Sequence, residues 1–418
     1  MTERIAIIGL GYVGLPIALR AAEAGYDVVG VEVDPTRFQS LVEHRSYVED
    51  ITDAALSDAF GSERFHVVQS IGAIGTFDIA VITVPTPLRE GVPDLTFVEI
   101  ASKELARVLR PGNCVVLEST TYPGTTEDLM VPLLEEHSGL RAGVDFQVGF
   151  SPERIDPGNQ QWTIVTTPKI VSGIDGESAQ RVAGFYANIV ERVVPVSSPK
   201  VAELAKLLEN TYRHVNIALV NELAIYAHEL GIDIWEVIDA AATKPFGFHR
   251  FTPGPGVGGH CLPIDPSYLS WQVKRQLGHS FRFVELANDV NEHMPDYVAR
   301  RIALALNEEG RAVKGARLLL IGQAYKKNSG DARESPAVRV AELLATLGAD
   351  LRIVEPFVRA GSITIGPHVE LTRAELESAH MVVVLTDHDE LDWDLVLSHG
   401  RVIFDTRNRL KGDHVQRL

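Results

Sequence analysis

Cysteine is nearly missing from this chain: 418 residues hold two, Cys114 and Cys261. Two thiols cannot staple a small secreted scaffold, so the fold must rest on cored domains. Long apolar runs are lacking too. None reaches the ~20 residues that a membrane-spanning helix needs, and the opening MTERIAIIGLG reads as entry into a strand and not as a leader. The expected setting is the cytoplasm. Basic charge is in deficit, with 39 Lys+Arg against 56 Asp+Glu and a net charge of −17. That excludes a surface for wrapping nucleic acid, although a few arginines and a helix N-terminus suffice for one phosphate group. No metal site and no membrane contact are expected.

Strand and helix alternate from the first residues. RIAIIGLG is a short β-rich run, PIALRAAEAG is helical in composition and stops at Gly25, and YDVVGVEVD is a second buried strand; DIAVITVP and CVVLEST follow. The same βαβ rhythm is expected to continue through DFQVGFSPE, KIVSGI and ERVVPVSS. A first α/β domain, residues 1–199, results. Residues 200–230 read as one helix of about thirty residues with apolar positions on more than one face, a spine for packing against another domain or subunit. A central helical domain is expected over 200–311. RLLLIGQAY then restarts the alternation, giving a second α/β domain over 312–418.

Gly9, Gly11 and Gly14 spell G-x-G-x-x-G directly after the first strand and at the start of a helix, with Tyr12 and Val13 inside the turn. The glycines allow the turn, the approach of a pyrophosphate and close helix–strand packing. Glu32 ends the second strand, 18 residues after Gly14, where a carboxylate accepts both ribose hydroxyls and disfavours a 2′-phosphate, so NAD is the expected cofactor. Asp34 is the neighbouring candidate. Arg37 would suit NADP if it faced the ribose; the simpler reading puts it in the following helix.

Cys114 lies in a strand and reads as a small buried apolar residue. Cys261 does not: it sits in PGPGVGGHCLPIDP, among glycines that bring backbone close to a ligand. A thiol nucleophile in an NAD-binding protein points to oxidation at the aldehyde level through a thiohemiacetal and a thioester. On the long helix Lys206, Asn210 and Arg213 share one face. They are either a solvated stripe or the donors that a forming alkoxide needs.

IGLGYVGLP, STTYPGTT, FSPER, AELAKLLENTYR, PGPGVGGHCLPIDP and AYKKNSGDARESP, in this order and spacing, make the chain resemble the nucleotide-sugar 6-dehydrogenases over nearly its whole length. The resemblance implies two Rossmann-like parallel-sheet domains joined by a helical one, NAD as cofactor, and four-electron oxidation of a UDP-sugar at carbon six, a step of polysaccharide biosynthesis. It further implies Cys261 as nucleophile, Lys206 and Asn210 on the reacting oxygen, Asp265 assisting base chemistry and positioning water, Glu153 at the reacting centre, and Thr120 helping to place water and lying beside the cofactor. Arg333 would reach the cofactor. Glu153, Arg154, Lys206, Asn210, Arg213, Gly258, Lys326 and Arg407 would meet substrate, with Arg250 a substitute for an arginine that relatives bring from a neighbouring subunit. Homodimers are implied, with a dimer of dimers as a further level of assembly that the resemblance allows. Members acting on glucose carry a glutamate where this chain has Pro157. ATKPFGFHRFTPGPG and FSPERIDPGN resemble the acetamido-sugar branch, which gives UDP-N-acetylglucosamine as the expected substrate, with UDP-N-acetylmannosamine and UDP-glucose as alternatives. A non-catalytic nucleotide-sugar binding protein would have shed this reactive set, and a two-electron dehydrogenase would not need Cys261.

Overall fold

The computed structural model describes residues 2–48, 50–89, 91–155, 159, 161–259, 262, 264–359, 361 and 365–418. Two compact units emerge, Met1–Glu209 with Ser267–Gln276, and Asn210–Pro266 with Leu277–Leu418.

The first unit is built on eight strands: β1 Arg4–Ile8, β2 Asp27–Val31, β3 Phe65–Val68, β4 Ile79–Ile82, β5 Cys114–Leu117, β6 Gln147–Phe150, β7 Lys169–Gly173 and β8 Val193–Pro195. Their order across the sheet is β8-β7-β6-β5-β4-β1-β2-β3. The run from β3 to β6 is the 3-2-1-4-5-6 order of a doubly wound dinucleotide fold, whose direction of winding reverses between β1 and β4. Central strands are apolar, IAVI throughout and RIAII after Arg4, because helices cover both faces of the sheet. Ile5, Ile7, Leu15, Val28, Val81 and Val116 meet in one core.

The expected βαβ rhythm fails at one step. β6 and β7 are antiparallel, pairing Gly149 with Gly173 and Phe150 with Ser172. Parallel neighbours need a crossover, usually a helix. The described residues between β6 and β7 form no helix, so the chain returns in the opposite direction. This return carries Glu153 and Arg154.

The second unit holds β9 Arg317–Ile321, β10 Asp350–Val354, β11 Met381–Val384, β12 Ile403–Asp405 and β13 Val415–Arg417, all parallel, in the order β10-β9-β11-β12-β13. Leu318, Leu320, Val383 and Phe404 fill one face, while Leu319, Ile321, Val382 and Ile403 fill the other, the two-residue period of a sheet buried on both sides. Here the winding reverses between β9 and β11.

The spine is one helix, Pro199–Glu229, of 31 residues, about 46 Å long at the α-helical rise. Proline at its first position supplies a preset φ where no N–H is needed, and Gly231 beyond its end takes φ +69°. Helices Asp265–Leu277 and Arg282–Glu308 follow the glycine-rich segment. Among the described residues no helix is long and apolar enough to cross a membrane.

Candidate active site

The nucleotide turn starts where β1 ends. Gly9 takes φ +96°, and a side chain at Gly14 would place its Cβ 1.9 Å from Gly9 O and 2.5 Å from Thr83 Oγ1. The helix Gly14–Glu23 therefore begins hard against the turn only because position 14 is bare. Nothing lies within 4 Å of a Cβ at Gly11, so this side of the turn is open, as a pyrophosphate approaching backbone N–H groups would need. Tyr12 is exposed beside it, and Val13 packs against the core. The Thr83 hydroxyl, just beyond β4, donates to Gly9 O across 2.7 Å. Sequence reasoning missed Thr83; its signal was a hydroxyl at the carboxyl end of the strand next to the turn.

Glu32 is buried just past β2 and accepts the Asp34 N–H at 2.9 Å. Asp34 is committed elsewhere: its Oδ1 accepts from Thr36 N and Arg37 N, capping the helix Pro35–Val42. Glu32 is thus the carboxylate presented at the strand end. Arg37 lies in that helix with its guanidinium 5.5 Å above the Tyr47 ring. Tyr47 donates to Leu10 O, and burial followed by the Glu32 charge pushes its phenol upward. A bare Gly11, a helix N-terminus and Glu32 fit NAD; these groups would hold it, and it would supply a hydride acceptor.

Thr120 lies half-buried, three residues beyond β5, which Glu118 directly follows. Glu153 holds its place after β6 by accepting Arg154 N at 2.6 Å and the N–H of Ile155. Its second oxygen faces Lys169 Nζ at 3.2 Å. Burial alone would raise the Glu153 carboxyl, but the ammonium of Lys169, then Glu118, the Ile155 N–H and Lys206 outweigh it and hold the group low. Arg154, expected at the substrate, is taken up by Glu209 at 2.8 Å and by Pro168 O at 2.5 Å. Lys206 is 9% exposed on the spine helix, which removes the solvated-stripe reading for that residue.

In the second unit Asn210 donates to the Asp265 carboxylate at 2.5 Å, joining two expected site residues 55 positions apart. Arg213 is exposed. Arg250 pairs with Asp239 at 2.8 Å on the surface. Cys261 lies outside the described residues. The glycines before it answer to packing: a Cβ at Gly258 would sit 2.6 Å from Glu334 O, and one at Gly259 2.8 Å from the Tyr325 ring, where φ is +88°. Gly259 N donates to Arg333 O. The Arg333 guanidinium grips Asp331, while Arg407 donates to Leu385 O and lies 2.7 Å from a Cβ position at Gly254. Burial pulls the Arg407 pKa down, so this cation gains from an anionic partner.

Lys326 is half-buried beyond β9, in a segment fixed by two residues that sequence reasoning missed. Glu355, after β10, accepts Gln323 N at 2.6 Å, Ala324 N at 3.0 Å and His388 Nε2 at 3.2 Å, and His388 Nδ1 accepts Asn328 N at 3.0 Å. Their signal was polarity directly after strands, in VEP and TDHDE. Cys114 is fully buried, and burial pushes its thiol up to about 12. It is no nucleophile at neutral pH.

Comparison with known proteins finds relatives along nearly the whole chain. The UDP-glucose/GDP-mannose dehydrogenase family matches in three parts: its NAD binding domain at residues 3–190, its central domain at 200–293 and its UDP binding domain at 319–412. A UDP-N-acetyl-D-mannosamine dehydrogenase of Pyrococcus horikoshii is 36% identical over 98% of this chain and 96% of its own. A UDP-N-acetyl-D-glucosamine 6-dehydrogenase of Pseudomonas aeruginosa is 38% identical over 85% of this chain and 83% of its own. The solved structure of the UDP-D-ManNAc dehydrogenase from Pyrococcus horikoshii superposes with a TM-score of 0.90 at 34% identity, covering 99% of this chain and 98% of that one. With a dinucleotide turn, a strand-end carboxylate and three family domains in register, this chain belongs to the UDP-glucose/GDP-mannose dehydrogenase family and is an NAD-dependent UDP-sugar dehydrogenase.

Proposed function

We propose that the chain oxidises carbon six of UDP-N-acetylglucosamine from alcohol to carboxylate, a four-electron reaction that reduces two NAD. The observation that carries the reading is the Asn210–Asp265 hydrogen bond, which puts an amide donor and a carboxylate at one point four residues from Cys261. In this reading residues 1–199 hold NAD, 200–311 carry the reacting groups and 312–418 hold the uridine diphosphate, through Lys326 and Arg407. Arg333 serves the cofactor.

The Cys261 thiolate adds to the carbon-six aldehyde, forming a C–S bond while the carbonyl oxygen becomes an alkoxide. Lys206 and Asn210 stabilise that oxygen, which requires a charge and a donor aimed at it before the bond forms. After the second oxidation a thioester remains. Water, placed by Thr120 and Glu153 and assisted by Asp265, attacks its carbonyl; the C–S bond breaks and the thiol is regenerated. Cys114, with its thiol held protonated, has no part in this.

The substrate follows from sequence likeness at ATKPFGFHRFTPGPG and from Pro157 where glucose enzymes carry glutamate. A second reading, UDP-N-acetylmannosamine, is favoured by the Pyrococcus relative of that name, which matches along 98% of the chain. Purified protein with NAD and, in separate assays, the UDP derivatives of N-acetylglucosamine, N-acetylmannosamine, N-acetylgalactosamine, glucose and galactose separates them. Two NADH per UDP-N-acetylglucosamine, with the highest kcat/KM, is the expected result. Tenfold preference for another sugar, about 1.4 kcal/mol, overturns the substrate, and one NADH per sugar overturns the four-electron chemistry.

The active form is proposed to be a homodimer in the cytoplasm. Val201, Leu204, Leu208, Tyr212, Leu219, Leu223 and Tyr226 recur at helical spacing along the spine and are all exposed in the single chain.

A further inference from the structure

Behind Glu153 lies a buried charge cluster that the reaction scheme does not use. Lys169 opens β7 and is 5% exposed; its ammonium meets the Glu118 carboxylate directly and Glu153 Oε2 at 3.2 Å. Tyr186, on the helix Gly176–Ala187, donates to the other Glu118 oxygen at 2.5 Å, and its ring lies 5.2 Å from the ammonium.

An ordinary structural ion pair matches one carboxylate to one ammonium. Here two carboxylates share one ammonium, and a surplus buried charge is costly unless one carboxyl keeps its proton. Burial outweighs the pull of Lys169 at Glu118 and raises that group to about 7, while Glu153 is held low. The asymmetry has a geometric cause. Glu118 is fully enclosed, whereas Glu153 has one oxygen fixed by two backbone N–H groups and the other by Lys169. Lys206 on the spine helix adds a further positive field, and Arg154, next in sequence, is turned away to Glu209.

We propose that Lys169 is the positioning residue for Glu153, clamped by Glu118 and Tyr186 so that its ammonium orients the Glu153 carboxylate and keeps it charged for placing water. This inference rests on the reading of Glu153 given above. Burial pushes Glu118 toward its protonated form, which limits the surplus charge in the cluster.

The test is the pH profile of kcat for the full-length enzyme with NAD and its best UDP-sugar, for wild type, Lys169→Met, Lys169→Arg and Glu153→Gln. Lys169→Met strips Glu153 of its counter-charge, so its acid limb is expected to move up by about 1–3 pH units, with KM for NAD unchanged. Lys169→Arg is expected to restore the wild-type limb. If Lys169→Met does not fold, Lys169→Met with Glu118→Gln removes the ammonium together with its enclosed titratable partner in similar volume and is read in the same way. A folded variant lacking the ammonium but keeping the wild-type limb overturns the proposal. Glu153→Gln separates the two layers: slow turnover there with an unmoved Lys169 profile rejects the positioning role alone, whereas normal turnover in Glu153→Gln rejects the Glu153 reading and this inference with it.

Discussion

Asn210 on the spine helix donates its side-chain amide to Asp265, the first residue of the next long helix, across 2.5 Å. Asp265 is 3% exposed, so its carboxylate cannot be solvated in place of this bond. Replacing Asp265 by Asn keeps the shape and removes the charge. If the carboxylate does base chemistry, kcat falls roughly 100- to 10,000-fold, the usual worth of a positioned acid or base, with KM for the UDP-sugar little changed. Steady-state kinetics at pH 7 decide it, and turnover within threefold of wild type removes Asp265 from the chemistry.

The two cysteines are expected to separate cleanly. Cys114, with its thiol pushed up to about 12 by burial, is inert to iodoacetamide at pH 8 in the native protein. Mass spectrometry should find one carbamidomethyl group per native chain, on Cys261, and two after denaturation. Cys261→Ser abolishes steady turnover while NAD still binds. Cys114→Ser leaves turnover intact and costs about 1–3 kcal/mol of stability, because a hydroxyl is buried without a designed partner. Labelling of native Cys114 would show that its strand opens readily.

Much of this was readable in the residues, and the exceptions share a cause. The glycine turn, Glu32 and the spine helix follow local rules of spacing and strand ends, so sequence places them well. Thr83, Lys169, Tyr186, Glu355 and His388 were not singled out, because each matters through a partner distant in sequence: Lys169 meets Glu118 51 positions away and His388 meets Glu355 33 positions away. The reversal at β7 was missed for a related reason. A strand's direction depends on its connection, and KIVSG has the same composition whichever way it runs. In the sequence the glycines of the Cys261 loop suggest room for a ligand, while the structure gives Gly258 and Gly259 neighbours that exclude a side chain.

Acid stability tests the Glu355–His388 pair. Burial alone would raise the Glu355 carboxyl, yet hydrogen bonds from His388 and from the N–H groups of Gln323 and Phe357 bring it down to about 2. A carboxyl whose pKa is depressed on folding stabilises the native state above its unfolded value, near 4.5, and that contribution is lost as pH falls through the folded value. The drop from 4.5 to about 2 corresponds to roughly 3 kcal/mol. Chemical denaturation should therefore show a loss between pH 4.5 and 2 that Glu355→Gln flattens. Equal slopes in the two proteins would mean that other carboxylates govern acid unfolding. The variant is also expected to raise KM for the UDP-sugar, since Glu355 anchors the segment that bears Lys326.

The apolar stripe on the spine helix sets the last prediction. Leu208 and Leu219 are 64% and 53% exposed, with Leu204, Leu223 and Tyr226 in the same row. Monomers rarely leave contiguous apolar patches larger than a few hundred Å² in water, and a stable interface buries on the order of 1,600 Å² in total. A row running along most of a helix about 46 Å long meets that need when a second copy packs on it, and two-fold pairing lets one patch serve both partners. Light scattering is expected to give twice the chain mass for the wild type. Leu208→Glu combined with Leu219→Glu should shift it to one chain mass, because each glutamate would face its counterpart in a closed apolar layer. An unchanged mass for a folded double variant would place the interface elsewhere, and a fully active wild-type monomer would show that the stripe serves no pairing at all.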